Sequence, residues 1–148
     1  MSNTLRLWAL SDTHVGTDIK FDRRSLEEVI QHAESWPNRP GQSGGFDIAL
    51  NLGDFSGSQL PPDDDEGELV VSQYASAKHH GREHFYDVIG NHDASGAEEP
   101  TQWWFKKWID PTGSNPEFSQ VHNAKRPYPT TGTWENYSFE VGNIVFLM

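Results

Sequence analysis

No cysteine occurs among the 148 residues, which excludes disulfides, thiolate zinc sites and cysteine nucleophiles. Positive charge is scarce as well, with 11 Lys and Arg against 22 Asp and Glu, for a formal net charge of -11. A charge of that sign repels duplex nucleic acid and anionic membrane surfaces. A phosphate-bearing ligand therefore has to be neutralised by something other than Lys and Arg. Long hydrophobic runs are missing too: none approaches the roughly 20 apolar residues of a membrane span. The N-terminal stretch MSNTLRLWALSD has one basic residue and an apolar stretch too short and interrupted for a secretory signal. A cytoplasmic protein with no membrane partner is expected. No solenoid-type repeat or domain boundary stands out, and a chain of this length buries a sizeable core as one domain, 1–148.

What is present is a repeated alternation. Leu5–Leu10 reads as a buried strand, and Ser25 with Glu28 forms a capping box ahead of Leu26, Val29, Ile30 and Ala33 at helical spacing. Trp36-Pro37 stops that helix, and the Gly/Pro/Ser-rich loop PNRPGQSGG leads to a second apolar run, Phe46–Leu52. The acidic PPDDDEGE then precedes Val70, Tyr74 and Ala77, a helix with its acidic residues at the positive end of the dipole. A third run, His84–Ile89, is followed by Pro100 at a helix start and by Trp104 and Trp108 four apart. Alternation of this kind specifies an α/β fold with a largely parallel sheet, whose ligands gather beyond the carboxyl ends of the strands. Near the C-terminus ENYSFEV and IVFLM flank Gly142-Asn143, a dipeptide suited to a two-residue hairpin. Because the chain stops in the apolar IVFLM, it is expected to be the N-terminal part of a larger fold.

Each of the three runs ends in groups that bind metals. Asp12 and His14 are two apart, so in extended backbone they point to one side and converge on one cation. Asp54 follows Gly53 and has two carboxylate oxygens with which to bridge two metals, while Asn91 offers a neutral carbonyl oxygen to the second. His92 is placed to face substrate, donating to a leaving oxygen or stabilising phosphoryl charge, with Asp93 holding its tautomer. The mixed oxygen and nitrogen set suits Mn, Fe, Zn, Co or Ni better than Ca. Two such ions about 3.5–4 Å apart could hold a hydroxide nucleophile and clamp phosphate oxygens. The cations then supply the attraction for phosphate that the side chains lack.

Singly, each stretch has a plainer reading: an Asp helix cap, a strand-ending Gly-Asp turn, a polar turn. It is their order, each closing an apolar strand, that makes a site. His32, His79, His80, His84 and His122 have no ligand role in this reading, DDDEGE is a solvated helix start, and Trp103, Trp104, Phe105 and Trp108 pack on the sheet.

SDTH, GD and GNHD together resemble the first three motifs of the calcineurin-like metallophosphoesterases. The resemblance implies a sandwich of two mixed β-sheets flanked by helices, with a dinuclear centre of two divalent or trivalent ions, Mn or Fe favoured. It assigns Asp12 and His14 to the first metal, Asp54 to the bridge, Asn91 to the second metal, and His92 with Asp93 to catalysis. The family's later Gly-His and Gly-His-x-His motifs do not occur in this chain, so it resembles the first half of that fold. FSGSQ after Asp54 lacks the arginine of protein Ser/Thr phosphatases, and Gly57 stands where purple acid phosphatases carry a metal-binding tyrosine. What the resemblance leaves is a phosphodiesterase, nucleotidase or small-molecule phosphatase with a phosphate-ester or nucleotide substrate. The alternatives are a non-catalytic binding module on the same fold, a partner-dependent fragment, or a nuclease.

Overall fold

A computed structural model of the chain describes residues 4–17, 22–36, 45–57, 60–96 and 101–148. The three apolar runs become β1 (Leu7–Leu10), β2 (Ile48–Asn51) and β3 (Phe85–Asp87), a parallel sheet in that spatial order. Leu7 lies opposite Ile48, and Ala49 opposite Phe85. Successive residues point to opposite faces. Trp8, Ala49 and Phe85 therefore join the core under the helices, while Ile48 and Tyr86 face the other way. The strands are shorter than their apolar runs: β1 starts two residues into its run, while β2 and β3 lose residues at both ends.

α1 (Leu26–Glu34) starts at the predicted capping box: Ser25 Oγ accepts from the Glu28 N–H at 3.2 Å, and Glu28 Oε2 accepts from the Ser25 N–H at 3.2 Å. It buries Leu26, Ile30 and Ala33. α2 (Asp64–Tyr74) starts at Asp63, whose side chain accepts from the Glu66 N–H, so PPDDDEGE is indeed a helix start and Ala77 lies beyond the helix end. Gly67 has a packing reason, since a Cβ there would enter the Trp108 indole. Trp104 and Trp108 dock on this end of α2, while Trp103, expected to pack as well, is exposed. Trp104 Nε1 donates to the Asp63 carbonyl at 2.6 Å, Trp108 Nε1 to Asp64 Oδ1 at 2.8 Å, and both rings are buried. Their segment is not the regular helix that the spacing suggests. Phe105–Ile109 winds as a π-helix, ended by Asp110 in the left-handed region, whose carboxylate accepts from Ser114 N, Asn115 N and Ser119 Oγ. Pro100, Pro37 and most of PNRPGQSGG lie outside the described residues.

The second sheet is antiparallel: β4 (Thr131–Gly132), β5 (Tyr137–Val141) and β6 (Ile144–Leu147). Val141 pairs with Ile144 across Gly142-Asn143, and Gly142 at φ 64° takes the conformation that the two-residue turn demands. Tyr137 and Phe139 pack against Ile48 and Tyr86, with the Tyr86 and Phe139 rings stacked 4.1 Å apart. The layers run helices, parallel sheet, antiparallel sheet, as expected for a sandwich flanked by helices. Ile144, Val145 and Leu147 remain exposed on β6.

A buried carboxylate closes the end of the molecule away from the ligand loops. Glu34 accepts from the N–H groups of Lys78, His79 and His80 and from His80 Nδ1, at 2.8–3.0 Å. Burial alone would raise its pKa, but these donors hold it below the usual 4.5. A depressed carboxyl contributes stability that is present above its unfolded pKa and lost as pH falls through the folded one. Glu34→Gln is therefore expected to cost about 1–3 kcal/mol at pH 7 in urea unfolding. The gap to wild type should narrow below pH 4.5; a gap that stays constant with pH counts against the ionised carboxylate as the cause.

Candidate metal centre

The loops that follow the parallel strands are held in an uncommon backbone state. Asp12, His14 and Asp54 have φ of 54°, 41° and 59°, beside Gly53 at 100°. Non-glycine residues in the left-handed region cost free energy and persist only where surroundings over-determine them. Here the β1 loop is stitched to the β2 loop: Asp12 N donates to Gly53 O at 3.0 Å, His14 N to Asp54 O at 3.0 Å, and Val15 N to Phe55 O at 2.8 Å. Gly53 also permits contact with the β3 loop, because a Cβ there would sit 2.6 Å from Gly90 N.

On this frame the donors converge. His14, Asp54 and His92 each offer a ligand atom within 4.8 Å of the others. His14 Nε2 lies 3.8 Å from Asp12 Oδ1, and the His14 and His92 rings meet edge to face with centroids 4.5 Å apart. The tautomer of His14 follows from its partner. Nδ1 faces the Ser56 carbonyl at 2.9 Å, an acceptor only, so Nδ1 carries the proton and Nε2 keeps its lone pair for a cation. Asp54 Oδ1 accepts from the His92 N–H at 2.9 Å, and its second oxygen has no hydrogen bond among the described residues. Asn91 is exposed on the same turn, its amide without a hydrogen bond among the described residues. A mixed set of carboxylate oxygen and imidazole nitrogen on preformed loops fits a transition-metal ion.

The structure corrects one expected contact. Asp93 does not hold the His92 ring. It is fully buried, and its carboxylate accepts from four backbone N–H groups: Asp54 at 2.9 Å, Phe55 at 2.7 Å, Ser56 at 3.0 Å and Gly90 at 2.8 Å. The reason is that a buried turn has to satisfy its donors, and an acceptor-only carboxylate does so for two loops at once. Burial pushes this carboxyl up to about 6, against the pull of the four N–H groups, so it is ionised at pH 7. His92 lies with His14 and Asp54 in the group that could hold a metal ion.

Other supporting residues were not legible in advance. Glu66, read as part of a solvated acidic run, is buried, and its Oε1 accepts from Ser56 Oγ at 2.9 Å, bracing the residue whose carbonyl orients His14. Asn51, inside an apolar strand, accepts from Gly53 N at 3.2 Å and donates to Tyr74 Oη at 3.1 Å. Tyr74 Oη donates to Asp87 Oδ1 at 3.0 Å, and Asp87 pairs with Arg82 at 2.7 Å. Burial, then the Asp87 charge, keeps Tyr74 far above its ordinary pKa, so it stays a donor. The one available signal was a polar Asn within the apolar run Phe46–Leu52, two residues before Gly53. His79, His80 and His84 lie at the Glu34 end and take no part in the cluster.

A family model described as calcineurin-like phosphoesterase matches residues 5–146. Comparisons with curated proteins and with solved structures give no significant match.

Proposed function

From the premise that this chain belongs to the calcineurin-like phosphoesterase family, we propose that it hydrolyses phosphate monoesters or diesters of small molecules or nucleotides, with two transition-metal ions as cofactors. The observation that carries this reading is the convergence of His14, Asp54 and His92 at the ends of three parallel strands. Asp12 and His14 would hold one ion, Asp54 would be shared, and Asn91 would serve the second; Mn or Fe suits the set. Such ions supply Lewis-acid activation of water and of the phosphoryl group.

The chain's own contribution is positional. The Ser56 carbonyl fixes the His14 tautomer, and the His92 N–H leaves one Asp54 oxygen for a cation. The His92 imidazole then donates a proton to the leaving oxygen, or carries charge beside the phosphoryl group. Its closeness to His14 supports a second reading of His92 as a ligand. Metal content of His92→Asn separates the two: on the first reading it is retained.

The direct test loads the metal-stripped chain with Mn, Fe, Co, Ni or Zn and assays p-nitrophenyl phosphate and its diester. Metal-dependent release of nitrophenol, abolished by chelation and restored by metal, is expected. Metal binding by calorimetry without turnover of any ester would favour a binding module, and no metal binding at all would remove the proposal.

A further inference from the structure

Beside the ligand cluster, between the β1 loop and the start of α1, lies a hollow of about 120 Å³. Asp12 lines the hollow, and its carboxylate is 3.8 Å from Nε2 of His14, a member of the cluster. Two features suit this hollow to an anion. First, Arg23 and Arg24 line it together, a local excess of positive charge in a chain of net charge -11. Second, Arg23 Nη2 donates to the Asp12 carbonyl at 2.7 Å, which ties the guanidinium to the loop that carries a ligand. A guanidinium has five N–H donors, and Arg23 makes no other hydrogen bond or ion pair among the described residues.

Resting on the phosphoesterase reading above, we infer that this hollow is a second anion subsite. It takes a further phosphate or carboxylate of the substrate, next to the phosphoryl group at the metal centre. Arg23 donates to that group, Arg24 adds charge, and Leu26 and Val29 form the apolar side of the hollow. The preferred substrates are then phosphate esters or anhydrides with two neighbouring anionic groups, of which a nucleoside diphosphate is the simplest probe.

The test compares adenosine diphosphate with adenosine monophosphate on the metal-loaded full chain. One charge-assisted hydrogen bond to the second phosphate gives a ratio of kcat/KM of at least about 30 in favour of the diphosphate. In Arg23→Ala that ratio should fall below about 3 on the same grounds. Mn²⁺ affinity, measured by calorimetry, shows whether the Asp12 loop has stayed in place. A ratio that survives the substitution, or a wild type with no preference, overturns the subsite. So does an equal loss on both nucleotides with weakened Mn²⁺ binding, which makes Arg23 a support of the Asp12 loop only. A wild type that hydrolyses neither nucleotide nor the nitrophenyl esters with any metal overturns the phosphoesterase reading, and this inference with it.

Discussion

Asp54→Asn is expected to cut turnover of a phosphate ester by a factor of at least about 10² while the protein stays folded. The substitution is chosen because the structure says what survives it. Asn keeps an Oδ1 that accepts from the His92 N–H, so the bond between the β2 and β3 loops is preserved. Asn is also the residue that best tolerates the left-handed backbone found here, at φ 59°. The backbone contacts of position 54, its N–H to Asp93 and its carbonyl to His14 N, do not depend on the side chain. What is lost is a negative charge and one ligand oxygen facing His14 and His92. The unfolding midpoint in metal-free buffer should therefore move little, while Mn²⁺ affinity and turnover both fall. Near-normal turnover in a folded variant would remove Asp54 from the centre.

β2 and β3 were legible because burial on both faces writes a parallel strand as an apolar run, whereas β1, expected to be buried as well, buries only Trp8; the hairpin was legible because Gly142-Asn143 has one natural conformation. That His14 and Asp54 lie together was legible for a related reason: polar residues that end such a run have little else to do. Asp93 was misread. Its neighbour in sequence is His92, but its partners are four amides, three of them 37 to 39 residues away. Backbone donors leave no trace in residue identity, so a carboxylate that serves them looks like one that serves a side chain. Glu66 failed in the same way, since three of its acidic neighbours, Asp63, Asp64 and Asp65, are solvated and composition cannot single out the buried member of the run. The π-helix at Phe105–Ile109 was hidden too, because tryptophans four apart fit an α-helical face equally well.

Asp93→Ala should have the largest effect on stability of any single substitution in the site. It strands the N–H groups of Asp54, Phe55, Ser56 and Gly90 in a buried turn. Each unsatisfied donor costs about 1–3 kcal/mol, and water entering the gap recovers part of that. A net loss of about 4 kcal/mol or more is expected, set against a total stability of about 5–15 kcal/mol for a domain. Urea unfolding in metal-free buffer measures it; a loss under about 1 kcal/mol would mean that the four bonds do not govern the loop. Asp93→Asn adds a sharper arm. Its one remaining carbonyl oxygen keeps two of the donors, while its NH₂ meets the other two head on, so it should fall between Ala and wild type. Were Asp93 chiefly an orienter of the His92 ring, the Asn variant would lower kcat and leave unfolding unchanged. The same carboxylate grips Asp54 N and Ser56 N, and Ser56 in turn orients His14. Metal affinity should therefore fall in step with stability across the two variants. Saturating Mn²⁺, by binding only the folded state, should restore part of the lost stability in each.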